Sequence, residues 1–426
     1  MREESLKPKL IETMVLLLPF LLVTGPFLSD LSLVLCCILI VFIKGNNLVS
    51  IISKNRIYKF IFIFYIYLVF CSLIIPLNED YFLESFIPSF SYLRFLIFAI
   101  VFHYIFNFYY KFSKKLLFFL IIILAILFVD INLEYFLKTN LLGYKFNGVR
   151  IQSLFGDEWV VGSYLSKIVP IIVTLFLINK KKSKYIIFKI KYDDYFIFAI
   201  LLIANFLVLL SGERSAFFSI AIYSILILFF LKFDANKKYL FILVLFFTFL
   251  ISISVLKPTY ERMYKHTFNQ LNIFSTNYQK DHQLLFETGL KIFNDNKVIG
   301  SGLKGFRNKC NTDEYYINGG CSTHPHNFYI LFLSELGFIG FLFLLTIFII
   351  LSLIIFLRIT NFYFFKVNKK IFNNDILSIL IGLYVFIFPL KTHGAFFNNW
   401  LSICFYLQLS LFIAIYCKKI KYYEKK

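Results

Sequence analysis

Two histidines sit two residues apart in Ser322-Thr323-His324-Pro325-His326-Asn327-Phe328-Tyr329, at the start of a long apolar run. Histidine, with an unperturbed pKa near about 6.5, is the side chain best suited to accept a proton at neutral pH. A pair at the mouth of an apolar segment reads as a base beside a polar site. Cys310 and Cys321 lie just upstream. The two Cys and two His have the makeup of a four-ligand zinc set. In an oxidising compartment the same two Cys would instead form a disulfide, worth roughly 2–4 kcal/mol, that fixes the approach of the histidines. The expectation is the disulfide, with no metal and no cofactor. The other five cysteines, Cys36, Cys37, Cys71, Cys404 and Cys417, lie in or beside apolar runs and read as packing residues.

Cations occupy two further places. Arg150 lies in Asn147-Gly148-Val149-Arg150-Ile151-Gln152-Ser153-Leu154-Phe155-Gly156-Asp157-Glu158, and Lys167 falls inside the apolar run that follows. A cation at that depth in a bilayer costs roughly 2.5–3.5 kcal/mol unless it is paired or faces water, so an anion is expected to meet it. The plainer alternatives are a snorkelling or carboxylate-paired Lys167 and a solvated Arg150. The turn Ser211-Gly212-Glu213-Arg214-Ser215-Ala216 holds one charge of each sign between two apolar runs. Arginine's planar fork suits phosphate, which lysine meets only as a point charge. Here the plainer alternative is an Arg214 paired only with Glu213. The glycine-rich Gly300-Ser301-Gly302-Leu303-Lys304-Gly305-Phe306-Arg307 lacks the strand-then-helix setting of a nucleotide loop.

These residues need a scaffold, and composition names its class. The chain has 426 residues, 59% hydrophobic and only 16% charged, with a mean hydropathy of +0.77. That excludes a soluble globular enzyme, a disordered chain and a secreted disulfide scaffold. Apolar runs fall at 11–28, 31–43, 60–76, 91–106, 116–130, 158–178, 195–211, 216–231, 239–256, 328–357, 376–390 and 400–416. They predict an all-α polytopic membrane protein with about twelve transmembrane helices. The tenth run is long, which suggests an interfacial helix before the span proper. The expected organisation is spans one to nine in residues 1–256, a large extracytoplasmic loop at 257–327 carrying part of the active site, and spans ten to twelve with a basic tail in 328–426. Loops of that length are usually functional, and so is the shorter one at 130–157.

The net charge of +20 would suggest nucleic acid if it were clustered on a soluble domain. Instead it alternates. Placing the amino terminus inside puts these cations in the cytoplasm: Arg2, Lys7 and Lys9; Lys44, Lys54, Arg56 and Lys59; Lys111, Lys114 and Lys115. Lys180–Lys182, Lys184, Lys189, Lys191, Lys232, Lys237, Lys238, Arg358, Lys366, Lys369, Lys370 and the carboxy-terminal lysines fall on the same side. The opposite short loops, 78–90 and 392–399, carry none, with Arg94 and Lys391 at their edges. Both termini are therefore expected in the cytoplasm, the charge marks topology and anionic lipid, and no nucleic acid is called for. The first apolar run lacks a small-residue cleavage site and reads as an uncleaved first helix. The aromatic share of 21% carries no functional weight.

Three blocks give the chain a resemblance to the O-antigen ligase and polymerase superfamily of bacterial membrane glycan transferases. They are Arg150–Leu165 (RIQSLFGDEWVVGSYL), Ser211–Phe217 (SGERSAF) and Gly300–Gly340 with HPHNFYILFLSELGFIG. Their order, the span count and the late large loop extend it over most of the chain. The resemblance implies a multi-pass protein of the inner membrane with a periplasmic site, taking a glycan from undecaprenyl diphosphate to lipid A-core or to another lipid-linked glycan. It implies that Arg214 holds the diphosphate and that His326 activates the acceptor hydroxyl, in a metal-independent and inverting transfer. Relatives often carry an Arg ahead of the helix leading to the Gly-x-Gly turn, where this sequence has Lys280-Asp281-His282. Arg262, Arg307 or a protonated His282 would then supply the second phosphate contact, with Arg150, Lys167 and His324 also at the substrate. Ligase is preferred over polymerase on the His-Asn block and loop position. A secondary transporter is the rival from another class, disfavoured by the absence of an internal repeat and by few acidic residues in the spans.

Overall fold

The structure is a computed structural model that describes residues 3–75, 81–182, 193–231, 235–255, 257–265, 281–363 and 373–423. Several cations that oriented the chain above, Arg2, Lys184, Lys189, Lys191, Lys232, Lys366, Lys369, Lys370, Lys425 and Lys426, lie outside the described residues, as does part of the 257–327 loop.

Helices α1 (Glu3–Leu21), α2 (Pro26–Lys54), α3 (Arg56–Leu73), α4 (Phe82–Ser91), α5 (Leu93–Phe108) and α6 (Phe112–Asn132) form the first part. Then come α7 (Val161–Lys182), α8 (Asp193–Leu210), α9 (Arg214–Phe230) and α10 (Ala235–Val255). The late loop contributes α11 (Asp281–Asp295) and α12 (Gly305–Lys309), followed by α13 (Phe328–Tyr363), α14 (Asn374–Phe386) and α15 (Asn399–Tyr423). Among the described residues there is no strand, only an isolated bridge between Thr139 and Lys145.

Each of the twelve apolar runs lies on a helix, but the bounds shift where backbone chemistry intervenes. The first helix stops at Leu21, not residue 28, because Gly25 at φ +115° and Pro26 turn the chain and start α2. Asn55 separates α2 from α3 by accepting hydrogen bonds from the Ile57 and Tyr58 amides (2.9 and 3.4 Å), a side-chain N-cap. The segment 78–90, read from the sequence as a short loop, instead contains α4. Ten residues with Pro88 inside are too few and too interrupted for a periodicity signal to stand out. Among the described residues, seven stretches are long and apolar enough to cross a membrane: Pro26–Gly45, Arg56–Leu73, Phe82–Phe108, Phe112–Leu137, Val161–Lys180, Phe328–Arg358 and Asn399–Lys418. Three shorter apolar helices, Tyr195–Leu210, Arg214–Phe230 and Asn374–Phe386, accompany them.

Helix α7 is the hub. It packs on α6, α8, α9, α14 and α15, and 78% of its apolar stretch is buried, against 22% for α13. Some polar groups inside the bundle pair with one another: Tyr223 Oη lies 2.8 Å from Ser378 Oγ, which accepts from Thr174 Oγ1 at 3.0 Å. Gln408 Nε2 donates to the Lys167 carbonyl at 2.8 Å, tying α15 to α7.

The long α13 is two helices joined at Gly337, whose φ of +65° and ψ of −166° break the helix. The Gly300-Ser301-Gly302 segment docks into that break. Ser301 and Gly302 amides donate to Ser334 and Glu335 carbonyls (3.0 and 2.8 Å), and the Phe338 amide donates to the Lys297 carbonyl (2.8 Å). A Cβ at Gly300 or at Gly337 would sit 2.4 Å from the facing backbone. These glycines therefore let two backbones touch, which accounts for the glycine-rich run without any nucleotide. Leu285, Ile292, Phe306, Cys310 and Tyr315 form a small separate core beneath this segment.

Candidate functional site

Four connections bring the charged blocks together. Glu134 accepts from the Gln152 and Ser153 amides (2.9 and 2.6 Å), and Asp130 accepts from Ser153 Oγ (2.6 Å). These two carboxylates at the end of α6 hold the loop that carries Arg150. The Ile151 amide then donates to the Ser211 carbonyl at 3.3 Å, placing Arg150 beside the Glu213-Arg214 turn. Gly212, at φ +73°, is the pivot of that turn. A side chain there would meet the Val149 carbonyl at 2.8 Å, with the Cγ atoms of Arg150 and Arg262 each at 3.5 Å. Finally, the Cys310–Cys321 disulfide, with Cα atoms 5.2 Å apart, joins the end of α12 to the Thr323–His326 segment. Both sulfurs are used in that bond, so the four-ligand zinc set is not assembled.

The result is one cavity of ≈ 560 Å³ between the ends of α7, α9, α14 and α15 and the late loop. Arg150, Lys167, Arg214, Arg262, His282, Arg307, His324 and His326 all line it, and so do Lys391 and His393. Lys391 entered the sequence reading only as a charge at a loop edge, and His393 not at all. A Lys-Thr-His-Gly run in a short loop otherwise poor in charge was the available signal.

Glu213 is the carboxylate at the centre. It accepts from the Gly162 and Ser163 amides (2.6 and 3.1 Å), capping the start of α7, and lies 3.9 Å from Arg150 Nη2. Burial pushes its pKa up to about 6, and the nearby Arg150 and Lys167 oppose that rise. Arg150 also donates to the Trp159 carbonyl at 2.9 Å. Its Nε, like that of Arg262, is buried without a hydrogen-bond partner. Burial together with Arg214 and Arg150 lowers the Arg262 pKa. Three guanidiniums crowded near one carboxylate, two of them with a buried Nε that has no partner, form a site for an anion.

The histidines differ in role. His324 Nε2 lies 3.2 Å from the His393 carbonyl, which can only accept, and Nδ1 lies 2.9 Å from Thr323 Oγ1. That fixes Nε2–H and leaves Nδ1 receiving the Thr323 hydroxyl, so both nitrogens are committed. Burial and the neighbouring His326 push its pKa down to about 4. The His326 ring stands between the other two, with centroids 4.2 Å from His324 and 5.3 Å from His282. Burial and then His282 lower its pKa, so it is neutral at pH 7 and able to accept a proton. Its backbone sits at φ +53°, an uncommon conformation for a non-glycine residue, and its carbonyl accepts from the His393 amide at 2.8 Å. Asn327 is structural: Oδ1 accepts from the Tyr329 and Ile330 amides (2.8 and 3.3 Å) and Nδ2 donates to the Pro389 carbonyl (3.0 Å). It caps α13 and pins His326 against the loop after α14. His393 stacks on Phe328, centroids 4.0 Å apart.

No curated protein matches the chain. Residues 197–345 match the family described as O-antigen ligase. The matched stretch runs from α8 into α13 and contains Arg214, Arg262, His282, Arg307, His324 and His326. Arg150 and Lys167 lie before it, and Lys391 and His393 after it. The similarity over residues 197–345 supports the O-antigen ligase superfamily, and the long apolar helices support a multi-pass membrane protein.

Proposed function

We propose that this protein transfers a glycan from undecaprenyl diphosphate to a hydroxyl of lipid A-core or a similar acceptor, on the periplasmic face of the bacterial inner membrane. The observation that carries the reading is one cavity holding a guanidinium cluster and a neutral histidine together. In this reading His326 takes the proton of the acceptor hydroxyl as its oxygen attacks the anomeric carbon. The bond from that carbon to the diphosphate oxygen breaks, and the departing diphosphate keeps the electron pair. Arg214, Arg150 and Arg262 neutralise the charge that develops there. Arg307, on the disulfide-held α12, and His282 lie on the histidine side of the cavity. Attack opposite the leaving group inverts the anomeric centre, and no metal takes part.

The topology belongs to the same proposal: twelve crossings, both termini cytoplasmic and the cavity outside. It is supported by the basic alternate loops and by the cavity's position at the ends of the helices that face the uncharged loop 392–399.

Purified protein in liposomes with a lipid-diphosphate-linked glycan tests the site. His326→Ala and Arg214→Ala should each lose transfer, and wild-type rates in both would sink the assignment. Activity should persist in excess chelator. A deletion strain separates ligase from polymerase: long lipid-linked chains not joined to core mark a lost ligase, and single repeat units on core mark a lost polymerase.

A further inference from the structure

The chain has two tryptophans, and each stands beside a different group of cations. Trp159 lies by Arg150, whose guanidinium is 5.7 Å from the ring centroid, in the group with Arg214 and Arg262. Trp400 lies by Lys167, whose Nζ is 5.7 Å from its ring and 5.4 Å from that of Phe386. Lys391 lines the same cavity as Lys167, and the Lys167 charge adds to burial in pushing the Lys391 pKa well down. Glu213 stands between the two groups, within ion-pair distance of Arg150 and near enough to act on Lys167.

The two ammoniums are held by neutral groups. Lys391 Nζ donates to Ser219 Oγ at 2.9 Å, and Ser219 Oγ in turn donates to the Ser215 carbonyl at 2.7 Å. Lys167 Nζ donates to the Ser163 hydroxyl and carbonyl. Among the described residues neither lysine forms an ion pair. Two partly buried ammoniums that repel one another and face a common cavity are costly unless an anion comes between them. His393, flanking them on Phe328, is kept neutral by burial and by both lysines, so it adds a polar wall without further charge.

We propose that Lys167 and Lys391 form a second oxyanion subsite, distinct from the guanidinium cluster, that binds a phosphate or carboxylate carried by one of the two glycan substrates. The identity of the carrier rests on the transfer reading above, whereas the subsite rests on the cavity alone.

The two tryptophans make the subsites separately readable in detergent-purified protein. In Trp159→Phe protein, potassium phosphate at ionic strength matched with potassium chloride should change Trp400 fluorescence saturably. Lys391→Met should weaken that response about tenfold or more, and Lys391→Arg should retain it. In Trp400→Phe protein, pyrophosphate should be reported by Trp159, survive Lys391→Met and disappear in Arg214→Gln. Gel filtration shows that each variant is folded. A Trp400 signal indifferent to phosphate, or unchanged in Lys391→Met, overturns the subsite. So does a single pyrophosphate transition seen by both tryptophans and abolished at both by Lys391→Met. If instead the Trp400 results hold while Arg214→Gln leaves pyrophosphate binding and transfer intact, the diphosphate assignment falls and the subsite stands. In the transfer assay Lys391→Met should raise the KM of one substrate: the donor if its glycan carries the anion, the acceptor if the acceptor does. An unchanged KM for both overturns the substrate role.

Discussion

Two arginine sites at helix ends look alike in sequence and differ in what surrounds them. Arg94, at the start of α5, has its fork filled. Its Nε meets Asp30 at 3.0 Å, Nη2 donates to Asn399 Oδ1 at 2.8 Å and Nη1 donates to the Ser91 carbonyl and hydroxyl at 2.8 and 2.7 Å. Asn399 Nδ2 also donates to Asp30 at 3.2 Å, so the node closes on itself and joins α2, α5 and α15. Around Arg150 and Arg262 the balance is different. Glu213 spends its oxygens on the α7 amides, and two Nε donors are buried without partners. A cation beside an apolar segment is structural when its donors are spent within the protein, and points to a ligand when they are not.

The contrast can be tested by exchanging readouts. Arg262→Ala should lower the transfer rate by about 10²–10³-fold, the scale of removing one preorganised electrostatic contact, with little change in thermal midpoint. Arg94→Ala should do the reverse, costing about 1–3 kcal/mol of stability by leaving Asp30 and Asn399 without their partner, while activity per folded molecule stays near wild type. An Arg94 variant that is stable but inactive would erase the distinction. Acid pH is expected to act on the cavity. The base must be neutral, and burial lowers its pKa, so the histidine limb of kcat/KM should fall only as pH drops through a value below the usual histidine range. Protonation of Glu213, whose pKa is pushed up to about 6, should add its own fall around that pH by loosening Arg150. His326→Gln should remove the histidine limb from the residual activity. The smallest effect is expected from Cys310→Ser with Cys321→Ser. Loss of a short closed loop costs about 2–3 kcal/mol locally, read as faster amide exchange at 311–323 with a several-fold drop in kcat.

Much of the site was legible before any fold. Arg150, Lys167, Arg214, Arg262, His282, Arg307, His324 and His326 could be picked out because charge is conspicuous in an apolar chain, and the structure gathers all eight at one cavity. Lys391 and His393 were not legible in that way. A lone Lys at a loop edge carries no spacing signal, and its placement follows from α14 and α15 packing on α7 and α9. The division of labour between His324 and His326 was equally hidden, since it depends on the His393 carbonyl, 69 residues from His324 in the chain. The glycines at 300 and 302 lacked the setting of a nucleotide loop in the sequence, but the role of Gly300 was hidden there, since it depends on the backbone at Gly337 that faces it.

Composition and apolar run length thus determined that the chain is helical and membrane-embedded, because twenty or so apolar residues can satisfy their backbone in lipid only as helix. Residue type also determined that cations and a histidine base were available. Which cations are spent and which are exposed to a ligand was decided by tertiary packing. A guanidinium's role depends on whether a carboxylate such as Asp30 is within 3 Å or, like Glu213, is already committed to the amides of another helix.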